Sequence, residues 1–209
     1  MAGLVIFGNR TAVEVAEAAE LGCKHLFASI LVRFFAEPEF SQSLAPELES
    51  QLGSVHFLAG VADVIAKQRI IAACSARGWQ PATVIHPSAV VASSAQIGAG
   101  VFIGPLAVIS SHAQVADHTI IHLHASIGHD ANVGAYSAVL PGARVSGNVK
   151  LGKRVLIGSN AFVNQGVSIG DDSQVDALTY VARNLEPGML LSTRFPRPVP
   201  RVNLSGATT

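Results

Sequence analysis

The chain has 209 residues, with 14 Lys plus Arg against 14 Asp plus Glu and a formal net charge of +0 at pH 7. That balance gives no electrostatic footprint for nucleic acid or an anionic membrane surface, and no run of eighteen apolar residues offers a membrane span. Cys23 and Cys74 stand far apart in no metal or redox spacing, and the start of the chain lacks the basic region of a signal peptide, so a cytoplasmic location is expected.

Leu4 to Phe7 is a short continuous apolar run ended by Gly8, the pattern of a buried parallel strand. Thr11 to Leu21, rich in Ala and Glu, spaces Val13, Val15, Ala16, Ala19 and Leu21 as a helix. A second strand is predicted near Leu26 to Ile30, a third at Val55 to Ala59, and a long amphipathic helix between Val61 and Trp79. Phe34 to Leu52, with Pro38, Pro46 and several acids, reads as an irregular loop with a short helix. Strand–helix alternation with short turns predicts a small α/β domain over residues 1–82, with a parallel sheet in the Rossmann style. Gly8-Asn9-Arg10-Thr11 falls where such domains place a phosphate loop at a helix N-terminus. The turn holds one glycine where such loops have three, and it fits equally a plain strand–helix turn capped by Asn9 or Thr11.

From Ile85 to Val181 every sixth residue is aliphatic, seventeen positions without a miss. Chance would produce that run far less often than about one time in a million. Four residues after each aliphatic stands a small or β-branched residue, from Ala89 and Ala95 through Ser173 and Thr179. This is the pattern of a hexapeptide-repeat parallel β-helix, assigned to residues 83–187. Three hexads make a coil of eighteen residues, so the register covers a little under six coils, a column roughly 27 Å tall. Each coil buries its aliphatics only by stacking on its neighbours. Gly98, Gly104, Gly128, Gly134, Gly152, Gly158 and Gly170 directly follow an aliphatic, where sharp backbone turns are expected. Residues 183–188 read as a terminating turn. Residues 188–209, with Arg194, Arg197 and Arg201 among prolines, read as an extended tail.

His129 stands at the third hexad position and should face outward, with Asp130 beside it. His118, His122, His124, His129 and Asp130 crowd into one coil's length of sequence. In the eighteen-residue stack His129 lies between Ser111 and Gly147, and the glycine is expected to leave open space for a substrate. A histidine on a β-helix face is by itself a solvated or subunit-contact residue. Paired with an aspartate, it is an oriented base.

The linker Val84-Ile85-His86-Pro87-Ser88-Ala89, the turn Gly128-His129-Asp130 and the segment Ser146-Gly147-Asn148-Val149-Lys150-Leu151-Gly152 together carry a family likeness. The chain resembles the bacterial sugar acyltransferases of the sialic acid O-acetyltransferase and nucleotide-4-amino-sugar N-acetyltransferase type, over nearly its whole length. The resemblance implies a left-handed β-helix, a homotrimer, acetyl-CoA as co-substrate and no metal. It also implies a nucleotide-linked sugar whose amine or hydroxyl is acylated in a cleft between subunits. His129 becomes the general base and Asp130 its orienting partner, and a backbone N–H stabilises the oxyanion. Ala138, Gly147, Gly158, Ser159 and Arg183 take cofactor-contacting positions, and Gly8, Asn9, Arg10, Thr11 and Gly60 those of the acceptor. Three departures stand out. The family's G-x-G-G-H-G loop is replaced by Gly8-Asn9-Arg10-Thr11-Ala12-Val13, its acidic pair after the second strand by Ala28 and Ser29, and a second histidine by Ala138. Two other readings remain. One is a metal hydratase of the γ-carbonic-anhydrase type, for which His124 and His129 have a ligand-like spacing of five. The other is a non-catalytic sugar- or nucleotide-binding β-helix protein.

Overall fold

A computed structural model of the chain describes residues 2–34 and 52–201, and the irregular loop expected after Phe34 lies outside those residues. Strand β1 (Gly3–Gly8), helix α1 (Arg10–Gly22), β2 (Ser29–Phe34), β3 (Val55–Gly60), helix α2 (Val64–Ala76) and β4 (Gln80–Pro81) follow in chain order. The four strands form one parallel sheet of order β2-β1-β3-β4. Strand β1 is buried on both faces, as its continuous apolar run requires. Leu4 and Ile6 pack toward α1, and Val5 and Phe7 toward α2 and Trp79.

Two expectations shift. Strand β2 begins at Ser29, because Leu26 lies in a turn closed by its N–H on the Cys23 carbonyl, 2.9 Å, and is exposed. Helix α2 is shorter than the pattern suggested, since Asp63 caps it by accepting from the Ala66 N–H at 2.7 Å. The unanticipated β4 pairs with β3 and leads the chain into the column.

In the column, two-residue strands stack in parallel at an offset of eighteen residues, as when Ile120 lies between Phe102 and Ala138. They build three flat sheets of eight, six and five strands. The inward aliphatics form one continuous buried core from Val101 to Leu185. The residues just before them point outward and give each face its character. On the eight-stranded domain face Val84, Phe102, Ile120 and Ala138 are buried, the first three packed with β1 and α1. The six-stranded apolar face exposes Val90, Val108, Phe162 and Tyr180. The five-stranded amide face carries Gln96, Gln114, Asn132, Lys150 and Ser168.

The sharp turns are not made by the glycines that follow the aliphatics. The corner conformation falls two residues later, where Leu106, His118, His124, Asp130, Tyr136 and Arg154 have φ between 56° and 64°. Each non-glycine there costs about 1 kcal/mol, which the stacking of successive coils offsets. The glycines serve close stacking instead: a Cβ at Gly104 would stand 2.8 Å from the Leu123 nitrogen in the next coil.

The column also continues past the expected terminating turn. Leu185 bridges to Ile169, and Met189–Leu191 adds a strand beside Gln174–Val175. The tail then doubles back, with Val199–Pro200 antiparallel to Met189–Leu191. The Arg201 guanidinium ties it down on the Asp172 carbonyl at 3.1 Å. No helix among the described residues is long and apolar enough to cross a membrane.

Candidate active site

His129 and Asp130 occupy the edge between the apolar and amide faces, immediately after the strand Ser126–Ile127. Asp130 takes the left-handed corner conformation, φ 57°, which turns its carboxylate back onto its neighbour. Its Oδ2 lies 2.8 Å from His129 Nδ1, with both side chains about half exposed. An ionised carboxylate only accepts, so Nδ1 donates and Nε2 carries the lone pair. The pair is therefore an imidazole base of fixed tautomer, open to solvent.

Gly147 stands in register with His129 one coil on, yet it does not leave empty space there. A Cβ at Gly147 would meet His129 Nε2 and would lie 2.7 Å from Cε1 and 2.8 Å from Cδ2. The room is filled by the imidazole, and the missing side chain lets the ring lie against the next coil. Gln165 and Arg183 continue this edge at eighteen-residue steps, and Arg183 is exposed.

The other histidines do not join this pair. His118 and His124 sit on the column's other two edges, at the two corners that precede Asp130. His118 stacks between Phe57 and Tyr136, at 6.3 and 5.4 Å, where the α/β unit docks. His122 is buried, and burial followed by the nearby Lys67 charge pushes it down to about 4. Because His124 and His129 stand on different edges, a single chain does not bring them together on one metal ion. Among the described residues no group of three or more His, Cys, Asp or Glu is placed to hold one.

Three cofactor positions also fall elsewhere. Gly158 and Ser159 lie on the edge between the domain and apolar faces, across the apolar face from His129. Ala138 is buried on the domain face, next to carbonyls that Lys67 reaches, and so is closed to a cofactor within one chain. Lys67 itself escaped the sequence reading, which followed only apolar residues in that helix. It is fully buried in the stripe Lys67, Ile70, Ile71 and Cys74, and burial pushes it down to about 7. The stripe's helical spacing was the available signal.

At the carboxyl ends of the first sheet, β1 and β3 meet at the point where strand order reverses, the usual crevice of such sheets. Gly8 and Gly60 face each other there, and a Cβ on Gly60 would lie 3.2 Å from Ala12 Cα. Their immediate role is close packing of α1 on the strands. Asn9 caps α1, accepting from the Thr11 N–H at 3.1 Å, and the exposed Arg10 follows.

A family model described as the hexapeptide repeat of succinyl-transferase matches residues 148–183. No curated protein matches the sequence. Among solved structures, a histidine-to-alanine mutant of GDP-perosamine N-acetyltransferase from Caulobacter crescentus, in complex with CoA and GDP-perosamine, is 26% identical. That match covers 95% of this chain and 97% of the other, with a TM-score of 0.82. The acetyltransferase domain of PglB from Neisseria gonorrhoeae is 23% identical over 95% of this chain and 100% of its own, TM-score 0.81. WeeI from Acinetobacter baumannii is 16% identical over the same shares, TM-score 0.76. The repeat, the α/β unit before it and the likeness along almost the whole chain make this protein similar to the nucleotide amino-sugar N-acetyltransferases with hexapeptide repeats.

Proposed function

We propose that this acetyltransferase moves the acetyl group of acetyl-CoA to the amino group of a nucleotide-linked sugar, with His129 as general base and Asp130 holding its tautomer. The observation that carries the reading is the His129–Asp130 pair at 2.8 Å on an open edge. It is joined by the likeness to an enzyme solved with CoA and GDP-perosamine. The acceptor amine attacks the thioester carbonyl while His129 Nε2 takes its proton. A backbone N–H at the edge holds the oxyanion. Collapse forms the amide and expels the CoA thiolate, which regains the proton from His129.

Acetyl-CoA lies along the edge from Gly147 toward Arg183. Three coils separate His129 from Arg183, about 14 Å at parallel-strand spacing, a span that an extended pantetheine arm covers before its phosphates reach the guanidinium. The active unit is a homotrimer joined through the apolar faces. Gly158 and Ser159 of a neighbouring copy then stand beside the His129 edge, which answers their separation within one chain. The crevice at Gly8, Asn9, Arg10, Thr11 and Gly60 takes the nucleotide, and residues 1–82 act as acceptor domain and residues 83–187 as transfer column, with the first strand of the 188–209 tail extending that column.

The test is thiol release from acetyl-CoA with GDP-perosamine and UDP-linked 4-amino sugars. His129→Ala should cut kcat/KM by about 100-fold or more with the assembly intact. Near-normal turnover in that variant would refute the assignment.

A further inference from the structure

Lys67 occupies a seat where α2 should present an aliphatic. Its stripe partners at three, four and seven residues on, Ile70, Ile71 and Cys74, are apolar and buried, and Lys67 is itself 0% exposed. A cation in such a position costs several kcal/mol of desolvation, and an apolar side chain of the same length would be neutral or better for stability. The best-attested reason to keep a buried polar group is that it fixes register between packed elements.

The ammonium has two hydrogen-bond partners, and both belong to the column. Nζ donates to the Tyr136 carbonyl at 3.2 Å and to the Ser137 carbonyl at 3.4 Å. Those carbonyls flank the corner that follows His129 by seven and eight residues, within the same coil. The other end of the connection is equally placed. Lys67 lies one helical turn after Asp63, the cap of α2, and α2 follows Gly60 at the mouth of the crevice. One side chain thus ties the crevice helix to the coil bearing the base. A slide of α2 by one residue, or a rotation of its stripe, would break both bonds together, whereas the surrounding apolar contacts tolerate small shifts.

The neighbourhood makes the tie selective. Among the described residues, His118 Nδ1 and His122 Nε2 are buried beside it without hydrogen-bond partners. Asp63 and Asp117 are the acids that act on Lys67 and His118, and Arg201 faces Asp63 from the tail. Hydrogen bonding of the lysine therefore comes from the two column carbonyls, not from a carboxylate that would hold it in any docking geometry.

We propose that Lys67 is a positioning residue, a buried hydrogen-bond donor that fixes the register of the acceptor-binding α/β unit against the coil that carries His129. This rests on the crevice being the acceptor site, and the experiment separates the two. Lys67→Met keeps the stem and removes the bonds. With GDP-perosamine and acetyl-CoA as probes, the acceptor KM should rise about 10-fold or more, as misplacement by a fraction of an ångström does. The acetyl-CoA KM and kcat should stay within about twofold, and the melting temperature should be unchanged or higher. Unchanged acceptor KM overturns the proposal. So does a fall in melting temperature with all kinetic constants worsening together, the mark of a merely structural lysine. If the wild-type chain releases no thiol with GDP-perosamine or with UDP-linked 4-amino sugars, the acceptor reading fails. Amide hydrogen exchange at residues 64–70 and 136–138 then decides on the tie. Faster exchange in Lys67→Met supports it, and equal exchange overturns it.

Discussion

Replacing Gly147 by alanine tests the seating of the base, and an acetyl-CoA KM measured alongside kcat separates that effect from any on the cofactor. Gly147 does not adopt a positive φ, so alanine fits its backbone and the perturbation is a single methyl group. That methyl would stand 2.7 and 2.8 Å from Cε1 and Cδ2 of His129. Ordinary contact needs about 3.5 Å or more, and Nε2 would lie nearer still, so the ring must retreat by about 1 Å or rotate. Asp130 holds Nδ1 at 2.8 Å from the other side, and any such movement stretches or bends that bond. A hydrogen bond to a charged group is worth about 1.5–3 kcal/mol, and a displacement of about 1 Å in a reacting group costs about 100-fold. Gly147→Ala should therefore lower kcat by about 10- to 100-fold in the thiol-release assay. Gly147 is itself buried, but the half-exposed imidazole above it can swing toward solvent, so the melting temperature should move by no more than a few degrees. Full activity in Gly147→Ala would show that the imidazole need not lie against the next coil, and the account of the base would fall.

Two buried bases predict the pH dependence of stability. The folded chain holds His122 near 4 against an ordinary 6.5, and Lys67 near 7 against 10.5, chiefly through burial. The unfolded chain therefore binds protons first as pH falls. Stability from His122 is fully present above 6.5 and is lost toward pH 4, about 3 kcal/mol in all. That from Lys67 is full above 10.5 and declines toward pH 7. His122→Leu, which copies Leu140 at the same place one coil on, should flatten the loss between pH 6.5 and 4 in denaturant titrations. An unaltered slope would remove His122 from the explanation. Gly8→Ala would push a methyl group into the Gly60 backbone and Ala12, and chemical denaturation should show about 1–3 kcal/mol of lost stability. Asn9→Ala removes the α1 cap and should cost about 1 kcal/mol in the same measurement.

The column was legible because its signal is strictly periodic and local. An inward aliphatic every six residues serves every coil alike, so Ile85 to Val181 announced the core that is seen. Asp130 was placed beside the histidine by adjacency alone. The first strands and helices were also read, but their ends moved where a cap or turn decided them, as at Asp63 and Leu26. The errors share one cause. Each treated a position as if its nearest neighbours were those in sequence. Gly147 was expected to be open because the sequence does not show which way the ring above it turns. The histidines from His118 to His129 looked clustered because they are close along the chain, while the coil sends them to separate edges.

What the sequence determined by itself is the repeat, its register and the outward setting of His129, since these follow from a fixed period and from alternation along short strands. What only the tertiary structure decided is which outward face the α/β unit covers and how it is held there. Phe102 and Ile120 are buried on that face while Phe162 and Tyr180 are exposed on another. Their hexad positions are equivalent, so no periodicity distinguishes them. Contacts between residues 69 and 70 positions apart, such as those from Lys67 to Tyr136 and Ser137, make the difference. Such pairings depend on the docking of two finished surfaces, and a linear pattern carries no trace of them.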